Sequence, residues 1–431
     1  MDTTNAQRRD KLKAALDERF QSVVSDRAFN RLRDVVGNRE EQPFQAPGPL
    51  LELPEDQAGE IRDVLGLMRT NIRMEYKNFE FQHRHVVAMM MACSEALGPT
   101  GLLSYARPPE GLFKTLQEVY NFQRYFLQQK ASTKDKSDDV QQEDGQTDNL
   151  STARKSRSQP EKDECKRYDE NKCIVTGAAH PHVCHIVPFS FNSSEANTTK
   201  TKNYIHVIGV MFGRQFQANW REKLADPRPH GRGASDKHWN MLCLSPQLHD
   251  WWGRGYFAFE YMGSVSFGEV ARIELRFHWM PKTTFNSHGE KPLVVHWIDI
   301  QTALRDHHAA QAANPTTSGF PRDHTKHPGV VQAFLPTGEQ VATGHIFIIW
   351  RPAKFVPNVK AMFDLQFAAI KMLAMTGGAG DSKLLGLDDD DDTVAGASVS
   401  GFNASVQSPS IAPSHVDSTD EPDVQLHGLR I

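Results

Sequence analysis

The chain is expected to be an α+β protein, on three observations. Apolar residues recur at helical spacing through the first 130 residues, two short β-type runs and one capped helix lie near the middle, and alternating strands return after residue 255. With 431 residues there is room for two or three domains and a sizeable core.

Residues 5–36 carry Leu12, Leu16 and Phe20 at four-residue spacing, with Val23, Phe29, Leu32 and Val35 continuing, and are expected to form one or two amphipathic helices. A proline-punctuated connector follows over 43–54. Residues 55–97 return to helix through Ile61, Val64, Leu65, Met68 and Ile72 and run into the apolar block VVAMMMAC. Pro108 and Pro109 start a further helix whose broad face holds Phe113, Leu116, Val119, Tyr120, Tyr125 and Phe126. Residues 1–130 therefore form a helical N-terminal region. Between 131 and 162 apolar periodicity stops and Ser, Thr, Asp, Lys and Gln dominate, which predicts a disordered linker. Lys155, Arg157, Lys162, Lys166 and Arg167 make a diffuse basic cluster, too interrupted for a nuclear signal.

The informative stretch is 173–255, inside a middle domain of 163–282. Residues 173–175 form a β-type run ended by Thr176-Gly177, and 183–187 form a second, so a hairpin across 178–182 is expected. Alternation in the second strand turns His185 to one face and Cys184 to the other. His180 and His182 fall in the exposed loop, with assistance to a metal ion as their alternative role. Ser245 and Pro246 are an N-cap and first-turn proline, and Gly253 a stop, which places a short helix with His249 at 246–252. Asn240 lies five residues before the cap. Between His185 and Asn240 is a long insertion, helical over 204–224 despite Gly209 and Gly213, with Phe212, Phe216 and Trp220 on its packing face. From 200 to 237 eight basic residues face three acidic ones, an electrostatic footprint suited to phosphate in a chain of net charge −4.

Beyond the middle domain, 256–262 and 270–280 form a hairpin, and 293–298, 330–335 and 345–350 add strands, with a loop over 315–326. An apolar helix over 355–375 ends before Gly377-Gly378. Residues 283–379 are thus an α+β extension. The remainder, 380–431, holds five consecutive Asp at 388–392 and is expected to be a disordered acidic tail, able to mimic nucleic acid in cis.

Composition excludes several classes. Hydrophobic content is 39% and no run approaches the ~20 apolar residues of a membrane span. The N-terminus lacks the apolar stretch of a signal peptide. Five scattered cysteines, an odd number, argue against a disulfide framework and for a reducing compartment, nucleus or cytoplasm, so the sequons at Asn192, Asn197 and Asn403 go unused.

The order CIVTG, HIVPF, WN-x-L-x-L, LH-x-x-W and an aromatic strand (Tyr256, Phe257, Phe259) resembles the HNH endonucleases of the ββα-metal type, in the form frequent in fungal proteins with a long insertion. That resemblance implies a ββα-metal nuclease core in which His185 is the general base, Asn240 the middle residue and His249 the metal-ligand histidine. A neutral imidazole suits water activation near neutral pH, and one divalent cation, Mg²⁺, Mn²⁺ or Zn²⁺, neutralises charge on the phosphate. Asn240 either orients His185 through a backbone contact or completes the metal shell. Many family members carry Asp immediately before the base, where this chain has Cys184; a thiolate there favours a softer ion, unless Cys184 faces the core and Asp236 serves instead. The substrate implied is nucleic acid, DNA before RNA, met by Lys200, Lys202, Arg214, Arg221, Arg232, Lys237 and Arg254. The alternatives are a catalytically inactive nucleic-acid-binding module and a zinc-stabilised interaction module using Cys173, Cys184 and Cys243.

Overall fold

A computed structural model of the protein describes residues 42–51, 55–127, 157–224, 235–282, 297–316 and 331–380. The helices expected over 5–36, the linker up to 156, Arg232 and the acidic tail from 381 lie outside the described residues.

The described part of the N-terminal region is mainly helical, as its periodicity requires. It comprises α1 (Glu55–Arg73), α2 (His83–Met90), the single turn α3 (Ser94–Leu97) and α4 (Pro109–Leu127). The stretch 55–97 is thus three helices, broken by the turns of 74–82. Residues 159–162, expected in the linker, instead open the helix α5 (Gln159–Tyr168), which has Pro160 in its first turn and buries Cys165. The insertion is two helices, α6 (Glu195–Phe212) and α7 (Arg214–Leu224), instead of one. Gly213 separates them at φ 85, and a Cβ there would lie 2.8 Å from Glu95 Oε2.

The expected hairpin of 173–175 with 183–187 is corrected. Residues 173–177 form a tight turn, Gly177 N–H donating to Cys173 O at 2.9 Å with Gly177 at φ 66. The strand β1 (His182–His185) pairs antiparallel with β2 (Met241–Leu244), His185 opposite Met241. The intervening insertion therefore joins the two strands of the ββα unit. Its third element, α8 (Pro246–Gly253), begins where the cap motif puts it, with the Ser245 hydroxyl accepting from Leu248 N–H.

A three-stranded meander completes the fold: β3 (Phe257–Phe267), β4 (Val270–Trp279) and β5 (Ile346–Pro352), in that order and antiparallel. Of the other strands expected, 297–298 lie instead in the helix α9 (Trp297–Ala313), and 331–335 make only an isolated bridge, Phe334 with Gln340. The last helix, α10 (Val356–Met375), is buried along most of its length, including Met362, Phe363, Leu365, Ile370 and Leu373. One hydrophobic core runs from Ile61 in α1 through Val187, Trp220 and Phe259 to Leu373, so the three regions read from the sequence share an interior.

Several histidines in that interior are held neutral. Burial pushes His85, on α2, down to about 3, and His307, on α9, to about 4. An unfolded chain would protonate both near their ordinary value of 6.5. Their folded values are depressed, so the stability they contribute is complete above pH 6.5 and falls as pH drops toward 4, where the unfolded state binds more protons. A thermal midpoint that is level from about pH 8 to 6.5 and declines below it is expected; a midpoint that rises on acidification contradicts this.

Candidate active site

β1, β2 and α8 converge on a cluster of imidazoles. His185 ends β1 with its side chain 6% exposed, and its Nε2 lies 3.0 Å from Asp236 Oδ1. The other carboxylate oxygen, Oδ2, accepts Ser158 N–H at 2.6 Å. Ser158 is the N-cap of α5, so Asp236 sits at a helix N-terminus, where negative charge is favoured. A carboxylate only accepts, which makes His185 Nε2 the protonated nitrogen and leaves Nδ1 with the lone pair. Burial lowers the His185 pKa against the pull of Asp236, and Arg157 and Lys162 lower it further, so the ring is neutral near pH 7.

Asn240 has a different place from the metal shell allowed for it. It is fully buried, its Oδ1 accepting Val187 N–H at 2.9 Å and its Nδ2 donating to Val187 O at 2.8 Å and to Ser235 O at 2.7 Å. The amide is committed to backbone, so Asn240 fixes the chain just after His185 and just before Asp236. Asn240→Ala would strand one buried N–H and two carbonyls and should cost about 3 kcal/mol, read as a lowered thermal midpoint. Loss of activity with an unchanged midpoint would contradict this positioning role.

His249 is half-buried on α8, its Nδ1 3.2 Å from Nδ1 of His182. Burial brings His249 down to about 4, with His182, Arg157 and His185 adding to the effect. His182 is exposed as expected, but it opens β1 instead of lying in a loop, with its ring against that of His249. Cys184 is 1% exposed, its thiol directed at His182 O and its pKa raised by burial, so it belongs to the core, away from an ion beside His249. Asp236, the other carboxylate considered for the metal, is bound to His185 and Ser158.

The basic residues divide. Lys200, Lys202 and Arg221 are exposed on α6 and α7, Lys200 lying 4.6 Å over the Tyr125 ring. Arg214 is bound to Glu95 at 3.1 Å and to Thr100 O, Lys237 to Glu161 at 2.8 Å, and Arg254 to Asp250 at 2.7 Å, so these three are engaged within the protein. Arg157, a member of the diffuse basic cluster, is a cation close to the imidazoles. Arg157 lies 5.4 Å over Phe189, whose ring is 5.5 Å from His185, and its charge is felt by both His185 and His249.

Residues 173–260 match the family model described as HNH endonuclease. That span begins at the CIVTG turn, takes in His185, Asn240 and His249, and ends in β3. No curated protein and no solved structure matches the chain. The HNH region thus supplies the geometric core, while Arg157 and the helix that anchors Asp236 precede it in sequence.

A second cluster lies under the HNH region. Cys165 and Cys243 sulfurs and an Asp169 oxygen fall within 4.8 Å of one another, close enough to hold one ion. Asp169 is nonetheless paired with Arg351 at 2.7 Å, both side chains fully buried. This trio differs from the Cys173, Cys184 and Cys243 set read from the sequence, because i,i+4 spacing on α5 brings Cys165 and Asp169 together.

Proposed function

We propose that the HNH region hydrolyses phosphodiester bonds of nucleic acid, DNA in the first instance, with His185 as general base and one divalent cation. The observation that carries this reading is a buried, neutral His185 whose Nε2 is tied to Asp236 and whose Nδ1 keeps its lone pair. An imidazole so oriented takes the proton from the attacking water, and Asp236 stabilises the charge that forms on the ring. Arg157, beside Phe189 and exposed, meets the incoming phosphate. A cation at His249 would supply Lewis-acid neutralisation of the phosphorane and the leaving oxygen. The donors fit such an ion, since His249 is neutral near pH 7 and an imidazole nitrogen is a ligand only when unprotonated. Five free cysteines agree with an intracellular location, in nucleus or cytoplasm.

The other reading, an inactive nucleic-acid binder, draws on Cys184 in the position where many family members have an acid. Incubation of the full chain with supercoiled plasmid and Mg²⁺, Mn²⁺ or Zn²⁺ separates the two. Nicking that EDTA abolishes supports the enzyme; salt-sensitive binding without turnover supports the binder. Cleavage that persists in EDTA would remove the metal from the mechanism.

A further inference from the structure

In this chain the position before the base is a cysteine, Cys184, and its side chain is turned into the core. The structure places a different donor beside His249. His182 is exposed at the start of β1, and its ring meets that of His249 edge-on, with centroids 5.5 Å apart and planes at 86°. The two Nδ1 atoms are 3.2 Å apart. Two imidazole nitrogens sharing one tetrahedral ion at ~2.0–2.1 Å would lie roughly 3.3–3.4 Å apart, so the observed separation needs almost no adjustment. Neither ring has another hydrogen-bond partner among the described residues. Carbonyls, amides and acids that would otherwise orient these rings are absent from their described contacts, and each nitrogen is open to a shared ligand.

We propose that His182 and His249 together form the cation site, a two-imidazole centre that selects a borderline transition ion such as Zn²⁺ over Mg²⁺. The inference rests on the metal-dependent reading above and adds to it the second protein ligand and the class of ion. Imidazole nitrogen suits Zn²⁺, Ni²⁺ or Co²⁺, whereas Mg²⁺ prefers an oxygen shell and parts reluctantly with its water. With both protein donors nitrogen, the preference follows from ligand type alone. The remaining positions on the ion would be left to water and phosphate oxygen, as an open catalytic centre requires. Cys184 then need not be a ligand at all.

Titration calorimetry of the full chain with Zn²⁺ and Mg²⁺, together with the visible spectrum of the Co²⁺-loaded protein, tests this without reference to turnover. Wild-type protein should bind one Zn²⁺ in preference to Mg²⁺. His182→Ala and His249→Ala should each weaken Zn²⁺ binding by at least about tenfold, since even partners outside the ligand shell are worth 10–100-fold. His185→Ala should leave it nearly unchanged. Because His182 is exposed, its variants should fold normally, and His182→Asp should move the preference toward Mg²⁺. Zn²⁺ binding that His249→Ala removes and His182→Ala leaves intact overturns the two-imidazole centre while sparing the metal-dependent reading. Binding lost only on Cys243→Ser assigns the ion to the buried Cys165, Asp169 and Cys243 trio and overturns the centre as well. No ion bound by the wild type overturns both.

Discussion

His185→Ala is expected to lower strand cleavage by about 10²–10⁴-fold, the usual worth of a positioned general base. The variant should keep its metal affinity and its nucleic-acid affinity, because the ring's polar contact is with Asp236 and not with the proposed ligands. Asp236→Asn should reduce the rate as well, since an amide nitrogen placed against Nε2 would favour the tautomer with its proton on Nδ1. The pH profile follows from the same environment. Burial holds the His185 pKa below its ordinary 6.5, Asp236 opposes that shift, and Arg157 and Lys162 reinforce it. The base is competent when neutral, so kcat/KM should be level through neutral pH and lose its activity only below 6.5, as the ring protonates. Arg157→Ala should move that acid limb upward and weaken substrate binding together, a pairing that a purely structural Arg157 would not produce. Cleavage by His185→Ala at near the wild-type rate would leave the proposed mechanism without its base.

Local signals and long-range pairings were unequally legible in the sequence. The helix carrying His249 could be read because the pair that starts it, Ser245 and Pro246, is adjacent in sequence, although it runs through Gly253 to a cap at Arg254. The β-run holding His185 was also legible from alternation, but its partner was not. Cys173 to Val175 look like a strand by composition, yet they turn back on Gly177, and the pairing goes to Met241–Leu244 across the whole insertion. Binary pattern cannot choose between two equally apolar partners when the connection is that long. The same distance hid the contact of His185 with Asp236, 51 residues apart. The place of Arg157 against Phe189 was hidden as well, because the low-complexity composition of 131–162 carries no periodic signal. In the C-terminal extension, the helix α9 was missed because the read strand at 293–298 overlapped its start, while its later residues, rich in Ala, Gln and His, show little amphipathic pattern.

Asp169→Ala should destabilise the protein by about 3–5 kcal/mol, the cost of breaking a buried ion pair from one side. Arg351 on β5 is fully buried; its Nη1 donates to Asp169 Oδ1 at 2.7 Å and to Trp350 O, and its Nη2 to Met241 O at 2.8 Å. Asp169, the C-cap of α5, also accepts Cys243 N–H through Oδ2 at 2.8 Å. One guanidinium and one carboxylate therefore join β5, β2 and the end of α5. Removing the carboxylate leaves a cation without its counter-charge; removing the cation by Arg351→Met leaves the anion and the Met241 carbonyl short of a partner. The double variant Asp169→Ala/Arg351→Met should recover part of the loss, since two apolar side chains leave no buried charge behind. Denaturant midpoints of the four proteins measure that coupling, and two single variants each within 1 kcal/mol of wild type would show that the pair is not a structural tie. The consequence reaches the site because β2 is the described strand partner of β1. Loosening Met241 and Cys243 frees the strand that holds His185, so cleavage should fall with stability in the single variants and return with it in the double. For the same reason a protein truncated after residue 282 would lack Arg351 and should not assemble the HNH region, even though the family match ends at residue 260.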